Sequence, residues 1–430
     1  MSKQLQAVRG MNDVLPTHIA AWQFLEREFG SLLREYGYEE LRVPLVEHTE
    51  LFKRSIGEHT DIVEKEMYTF EDSGGDSLTL RPEATAGIAR AIIANGLLRG
   101  ARLKLWTSGP MFRHERPQAG RYRQFNQFSV EAVGFPGPDV DAELIALCAR
   151  LWRRIGVTRV RLLLNSLGSL ASRQEYRSAL QAYFKTHEAA LDADSRRRLV
   201  GNPLRILDSK VPSMQSLIEG APLLSDYLDA ASREHFSALC AALDALKVPY
   251  TISPRLVRGL DYYTHTVFEW VTDALGSQDA VCSGGRYDGL ISQLGGEATP
   301  AVGFALGIER VVELINQAKS APAAQPPAVF VICGSESGGL MAMQVAEQLR
   351  EALPGQGVQL HLGSGNFKAQ FRRADRSGAC LAVILGEAEL TRGVVAVKPL
   401  RREAGQSECP LAELPARVRN MLKEESWTST

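Results

Sequence analysis

Four short segments carry residue types that can do chemistry together. The first, Arg113 to Arg123, holds four arginines against one glutamate, a local excess of +3 in eleven residues. Arginine's planar fork suits phosphate oxygens, so the segment reads as a site for a nucleotide or nucleic-acid phosphate, or else as a basic surface loop. In the strand that follows, Gln127, Ser129 and Glu131 alternate with Phe128, Val130 and Ala132. A period of two packs one face and presents polar groups on the other. The second segment is Arg81-Pro82-Glu83-Ala84-Thr85, where a strand gives way to a helix bearing Ile88, Ile92 and Ile93. Pro82 suits the first helical position and Glu83 the positive end of the dipole. Capping alone would explain both; convergence with other polar groups would make Glu83 and Thr85 ligands for an ammonium group.

The third segment, Leu256 to Tyr263, contains Arg258, Asp261, Tyr262 and Tyr263, and is followed by Gly284-Gly285-Arg286-Tyr287-Asp288. Paired glycines admit close approach to a strand, so the two stretches form either a polar pocket or a bulged strand with a turn. The fourth, Gly303 to Arg310, places Arg310 in the first turn of a helix after a strand. A cation there opposes the macrodipole. It calls for a salt bridge to Glu313 or for a bound anion such as the tail phosphate of a nucleotide.

Other chemistries lack their signatures. No G-x-x-x-x-G-K-[ST] loop and no G-x-G-x-x-G after a strand occurs, so a nucleotide would be held outside those designs. The histidines show no zinc spacing, and no G-x-S-x-G elbow points to a hydrolase. With 49 basic and 50 acidic residues, net charge −1, no bulk electrostatics favour nucleic acid. Apolar residues make up 45% and charged residues 23%, a globular composition. The longest apolar runs, Ala328–Cys333 and Cys380–Leu385, fall far short of the ~20 residues a bilayer needs, so no membrane span is expected. The first residues carry no secretory pattern, which predicts a cytoplasmic protein with its six scattered cysteines as buried thiols.

The elements that must position these residues are strands that follow one another: Leu103–Arg113, Arg123–Val133, Leu260–Thr272 and Ala280–Gly284. Such succession predicts an antiparallel sheet and an α+β fold. From about 170 to 250 the chain turns helical and charged, an insertion into the sheet domain of residues 1–320. A linker at 316–327 precedes a module at 328–430, where strands at Val329–Ile332, Val358–His361 and Leu381–Ile384 alternate with helical patterns in an α/β rhythm.

In this order the segments resemble the class II aminoacyl-tRNA synthetases, and more closely the histidyl-tRNA synthetases. The likeness lies in Val8 to Asp13, Thr79 to Thr85, Gly109 to Pro117, Leu256 to Tyr263, Gly284 to Asp288 and Gly303 to Arg310. It implies an antiparallel catalytic sheet, a C-terminal anticodon-binding domain, and a homodimer formed through Glu40 to Leu51. The reaction implied is ATP-dependent activation of L-histidine to histidyl-adenylate, then transfer to the 3′ end of histidine tRNA. Residue by residue, Arg113 and Arg258 would be catalytic at the α-phosphate, Arg310 would hold the γ-phosphate, and Glu115 would lie near adenine and ribose. Glu83, Ala84, Thr85 and Gln127 would take the amino acid's ammonium and carboxylate region. Glu131 and Tyr263 would read the imidazole nitrogens, with Tyr262 and Arg258 beside them. Mg²⁺ would accompany ATP, and no zinc is implied. Contacts to tRNA would come from Arg116 and Arg121 at the hairpin, and from Lys368, Arg372 and Arg373 in the C-terminal module. Non-catalytic regulatory relatives share the fold, but generally lack that module and degrade the Arg258 segment; both are intact here.

Overall fold

A computed structural model of the chain describes residues 5–427, except 58–59, 119, 208, 210, 277–279, 323–324, 335–337 and 364. Ala119 of the arginine-rich segment and residues 323–324 of the expected linker therefore lie outside the described residues. The chain divides into two units, Met1–Pro322 and Ala323–Thr430.

The first unit is built on strands β1 (Glu39–Glu40), β2 (Val46–His48), β3 (Tyr68–Glu71), β4 (Ser77–Leu80), β5 (Leu103–Phe112), β6 (Gln124–Val133), β7 (Arg161–Ser166), β8 (Thr251–Ile252), β9 (Thr264–Val271), β10 (Ala280–Arg286) and β11 (Ala301–Gly307). Eight of them form one sheet in the order β1-β5-β6-β11-β10-β9-β7-β8, and β2-β4-β3 form a small second sheet. The central pairings are antiparallel, from β5·β6 through β7·β9. Only the end pairs β1·β5 and β7·β8 run parallel. The period of two in β6 works as read: Phe128, Val130 and Ala132 pack with helices Ile19–Glu35, Pro138–Arg154 and Ile308–Ala318 in one core. Gln127, Ser129 and Glu131 face the other side.

Two local readings change. The strand expected from Leu260 begins only at Thr264. The carbonyls of Asp261 and Tyr263 are taken by Arg173 at 3.0 and 2.6 Å, so they do not join the ladder. Pro82 lies ahead of its helix, which starts at Thr85. Its carbonyl is held by Arg113 Nε at 2.9 Å, which keeps it in the preceding turn.

Between β7 and β8 the chain leaves the sheet for helices Leu170–Thr186, Ala193–Gly201 and Ala230–Ala245, joined by short helical turns. Tyr176, Leu180 and Phe184 of the first share one apolar cluster with Ile88, Tyr262, Tyr263 and Tyr287. The insertion is thus packed into the same core as the motif tyrosines. In the fourth segment the helix Ile308–Ala318 runs into the expected linker and stops at Lys319, whose φ of 52° is left-handed.

The second unit carries β12 (Val329–Cys333), β13 (Val358–Leu360), β14 (Leu381–Leu385), β15 (Val394–Pro399) and β16 (Ser407–Pro410), in the order β13-β12-β14-β15-β16. The first three are parallel; β15 and β16 add an antiparallel edge that the sequence reading did not resolve. Helices Gly339–Ala352, Phe367–Arg376 and Leu414–Trp427 complete it. The six cysteines are thiols, not disulfides; Cys148, Cys282 and Cys409 are buried as expected, whereas Cys240, Cys333 and Cys380 are half-buried. Among the described residues no helix is long and apolar enough to cross a membrane.

Arg286, quoted above as a pocket candidate, is instead a structural cation. It is 0% exposed and ion-paired with Asp141, also 0% exposed, while donating to the carbonyls of Phe135 at 2.9 Å and Gly137 at 2.7 Å. Removing one partner of such a pair strands a buried charge. Asp141→Ala is therefore expected to destabilise the first unit by roughly 3 kcal/mol or more, read as a lower denaturant midpoint; an unmoved midpoint would show that the two carbonyls and the Asp288 carboxylate, 3.2 Å from Nη1, suffice for Arg286.

Candidate active site

The polar face of β6, β11, β10 and β9 forms the base of a cavity of about 300 Å³. At its floor lies Glu131, 1% exposed. Thr85 Oγ1 donates to one carboxylate oxygen at 2.7 Å and the Tyr287 hydroxyl donates to the other. Burial pushes the Glu131 carboxyl up to about 8 despite those two bonds, and nearby Glu83 acts in the same direction. The floor fits because β11 supplies a glycine: a Cβ at Gly303 would stand 1.6 Å from Glu131 Oε2. Tyr262, Tyr263 and Tyr287 cluster beside it with ring centroids 4.7–6.3 Å apart, and burial raises all three phenols.

Glu83 caps the helix at Thr85, accepting from the backbone N–H groups of Thr85 at 2.7 Å and Ala86 at 2.9 Å. Burial raises its carboxyl while those bonds and the Arg113 charge lower it. It also lines the cavity, so capping and a ligand role coexist. Gln127 Oε1 and Ser129 Oγ are buried without a hydrogen-bond partner among the described residues. Buried polar atoms of that kind are rare and mark places where something else bonds.

The walls are cationic. Arg113 donates to the Pro82 carbonyl and lies 5.3 Å from the Phe125 ring centroid. Arg258, from a distant segment, faces the same cavity; it is ion-paired with Glu269 and sits 5.7 Å over the Tyr263 ring. Arg310 donates to the carbonyls of Gly120, at 2.9 Å, and Ala280, which ties the helix start to the hairpin and to β10. Arg121 pairs with Glu115 at 2.5 Å. Beside Arg310, Glu309 accepts from Asn126 N at 2.8 Å and Nδ2 at 3.0 Å, and burial raises its carboxyl.

Glu83, Thr85, Arg113, Glu115, Arg121, Gln127, Glu131, Arg258, Tyr262, Tyr263 and Arg310 thus converge on one cavity. Ala84 does not line it; it is packed in the apolar cluster beneath. Asp261 accepts from Asn202 at 2.6 Å instead of facing inward. Arg116 borders an adjoining hollow with Arg9, His114 and Arg123. In the second unit Lys368 and Arg372 line a hollow with Phe371 and Lys398, whereas Arg373 contacts His361 Nδ1 at 3.4 Å. Sequence reading missed Glu269, Ser283 and Glu309 as lining residues and Tyr287 as the partner of Glu131. The signal for Glu269 was a lone acid on a strand face shared with Val267 and Val271. Among the described residues no group of three or more His, Cys, Asp or Glu could hold a metal.

Comparison with known proteins gives a consistent picture. The family profile described as histidyl-tRNA synthetase matches residues 10–311, and that of the anticodon binding domain matches residues 328–421. A histidine–tRNA ligase from Hydrogenovibrio crunogenus is 54% identical over 424 residues, covering 99% of this chain and all of that protein. The crystal structure of apo S. aureus histidyl-tRNA synthetase superposes with a TM-score of 0.81 at 33% identity, over 96% of this chain and 100% of that one. An ATP phosphoribosyltransferase regulatory subunit/histidyl-tRNA synthetase from Bacillus halodurans shares the fold, with a TM-score of 0.65 at 22% identity over 90% of this chain and 99% of that one.

The raised Glu131 carboxyl has a pH consequence. A group whose folded pKa exceeds its ordinary value of 4.5 stabilises the fold most below that value, and the contribution is lost as pH rises to about 8. Glu131→Gln removes this dependence. Without histidine or ATP present, the variant should gain stability relative to the parent as pH climbs from about 5 to about 8; parallel melting-temperature profiles would show that Glu131 titrates normally.

Proposed function

The chain belongs to the histidyl-tRNA synthetase family, and on that premise we propose that the cavity joins L-histidine to ATP and then hands the histidyl group to histidine tRNA. The enzyme is an aminoacyl-tRNA ligase, and the side chains that line the cavity divide the work among them. The observation that carries it is that Arg113 and Arg258, far apart in sequence, flank the same cavity as the carboxylates and tyrosines.

Histidine enters with its imidazole toward Glu131 and Tyr263 and its ammonium toward Glu83, Thr85 and Gln127. The unpartnered Gln127 Oε1 supports this, since an ammonium supplies the missing donor. The histidine carboxylate attacks the α-phosphorus of ATP in line, pyrophosphate leaves, and a mixed anhydride, histidyl-adenylate, remains. Negative charge builds on the α-phosphate oxygens in that step. Arg113 and Arg258 meet it with guanidinium groups already held by Pro82 and Glu269, so little reorganisation is needed. Arg310 takes the γ-phosphate and Glu115 borders the nucleoside. Mg²⁺ would offset part of the charge of the ATP phosphates, and the carboxylates of Glu115 and Glu309, which line the cavity, would be the oxygen donors offered to it.

In the second step a ribose hydroxyl at the 3′ end of the tRNA attacks the histidyl carbonyl, and AMP leaves. Arg116 and Arg121 at the hairpin are suited to the acceptor end. On the second unit, Lys368 and Arg372 would bind anticodon-stem phosphates. Phe371, with Phe367 stacked at 6.2 Å and Lys398 at 5.8 Å from its centroid, offers a platform for an unstacked base. We further propose a homodimer through Glu40 to Leu51 and a cytoplasmic location. Exposed Leu45 (41%) and Val46 (36%) support the former as apolar side chains that a partner would cover.

The proposal is tested by pyrophosphate exchange across the twenty amino acids, where only histidine should support turnover. In the same assay Arg258→Ala should lose exchange by a factor of 10² or more, on the order seen when a preorganised charge donor is removed; retained exchange would take Arg258 out of the reaction. Removal of residues 321–430 should leave exchange largely intact while charging of histidine tRNA falls steeply. Equal loss of both would mean that the second unit supports the fold of the first.

A further inference from the structure

The segment carrying Arg258 belongs to no strand or helix. Residues 253–263 run between β8 and β9 as turns and bends, so their carbonyls need donors from elsewhere. Asn165 of β7 serves the carbonyls of Pro254 and Leu256, and the helical insertion serves those around Arg258 and beyond. Arg173 serves Asp261 and Tyr263, and Asn202 holds the Asp261 carboxylate. Arg205 Nη1 donates at 3.0 Å to the carbonyl of Gly259, the residue next to Arg258.

Arg205 does more than close that bond. Its other terminal nitrogen donates at 2.9 Å to Asp61 Oδ2. Asp61 directly precedes the helical turn Ile62–Glu66, and the carbonyl of Glu66 accepts at 2.7 Å from the backbone N–H of His114, the neighbour of Arg113. One side chain, 16% exposed, thus joins the support of Arg258 to the support of Arg113. Two nitrogens of a rigid planar fork fix the spacing of two acceptors, which a single ammonium does not.

We propose that Arg205 of the helical insertion is a positioning residue for histidine activation, bridging the Gly259 carbonyl and Asp61 so that Arg258 and Arg113 stand at the right separation across the α-phosphate. This rests on the reading of Arg258 above. A cation displaced by about 1 Å from a developing charge can lose on the order of a hundredfold in rate, so a bond one residue away from it governs chemistry more than binding. The insertion then acts in the first step of the reaction, whatever it touches on the RNA.

The experiment is a double-variant cycle in histidine-dependent pyrophosphate exchange, comparing the parent, Arg205→Ala, Arg258→Ala and the combination. Arg205→Ala should lower kcat on the order of ten- to a hundredfold, with the KM for histidine moving much less. The combination should be no slower than Arg258→Ala alone, because without the Arg258 guanidinium there is no Arg258–Arg113 separation left for Arg205 to set. Losses that multiply in the combination overturn the proposal, as does an unchanged kcat in Arg205→Ala. If that variant is not recovered folded, Arg205→Lys, which keeps the charge without the fork, carries the same cycle under the same two criteria. Intact exchange in Arg258→Ala would instead defeat the reading of the site itself; full loss there with an independent Arg205 effect removes Arg205 only.

Discussion

Several guanidinium groups share one small cavity, and the rest of the catalytic unit is arranged around keeping them there. Five glutamates, 83, 115, 131, 269 and 309, line the same space as arginines 113, 121, 258 and 310. Arg113, Arg258 and Arg310 each have at least one bond to a fixed oxygen: the carbonyl of Pro82, the carboxylate of Glu269, and the carbonyls of Gly120 and Ala280. Each such bond fixes where the guanidinium stands, which a flexible side chain would otherwise leave open. Phe125 and Tyr263 add ring faces under two of them, which favour a cation in a partly desolvated site.

That arrangement dictates what the sheet may be made of. The cavity needs a polar floor directly on the strands, and the strands still need their opposite face in the core. β6 meets both demands by alternation, while β10 and β11 meet them by deleting side chains. A Cβ at Gly303 would collide with Glu131, and one at its ladder partner Gly285 would stand 2.5 Å from the Thr266 carbonyl and 2.9 Å from the Tyr263 ring. Neither glycine is there for a turn. Gly303 leaves room for the buried Glu131 carboxyl, and Gly285 for the Tyr263 ring, in space that any side chain would fill.

How much of this was legible in the sequence follows from the range of the interactions. The hairpin, the alternation in β6 and the α/β rhythm of the second unit are local patterns, and they read correctly. Glu83 as a cap was also legible, because a cap is a contact between near neighbours. Arg286 was not: the sequence places it among pocket candidates, yet its partner Asp141 lies on a helix far up the chain and turns it into the core. The Tyr287–Glu131 bond and the Arg205 bridge are equally non-local, and bonds from side chains to loop carbonyls have no period to detect. The late start of β9 has the same origin, since donors from the insertion displace ladder partners that the residue types alone favour.

Glu131 shows how burial and specificity become one property. Burial raises the Glu131 carboxyl to about 8, which favours its neutral form at neutral pH. Each of its oxygens already accepts one hydroxyl bond, from Thr85 or Tyr287, and has a lone pair left over. On the proposed reading, a ring N–H arriving at that lone pair favours the ionised form, so binding draws the carboxyl down and releases a proton. An aliphatic side chain of similar size brings no donor, leaves the carboxyl neutral and buries its remaining bonding capacity unmet. Rejection of such a side chain then needs no second hydrolytic site, because an unmet polar group in a closed cavity discriminates by itself more strongly than shape does.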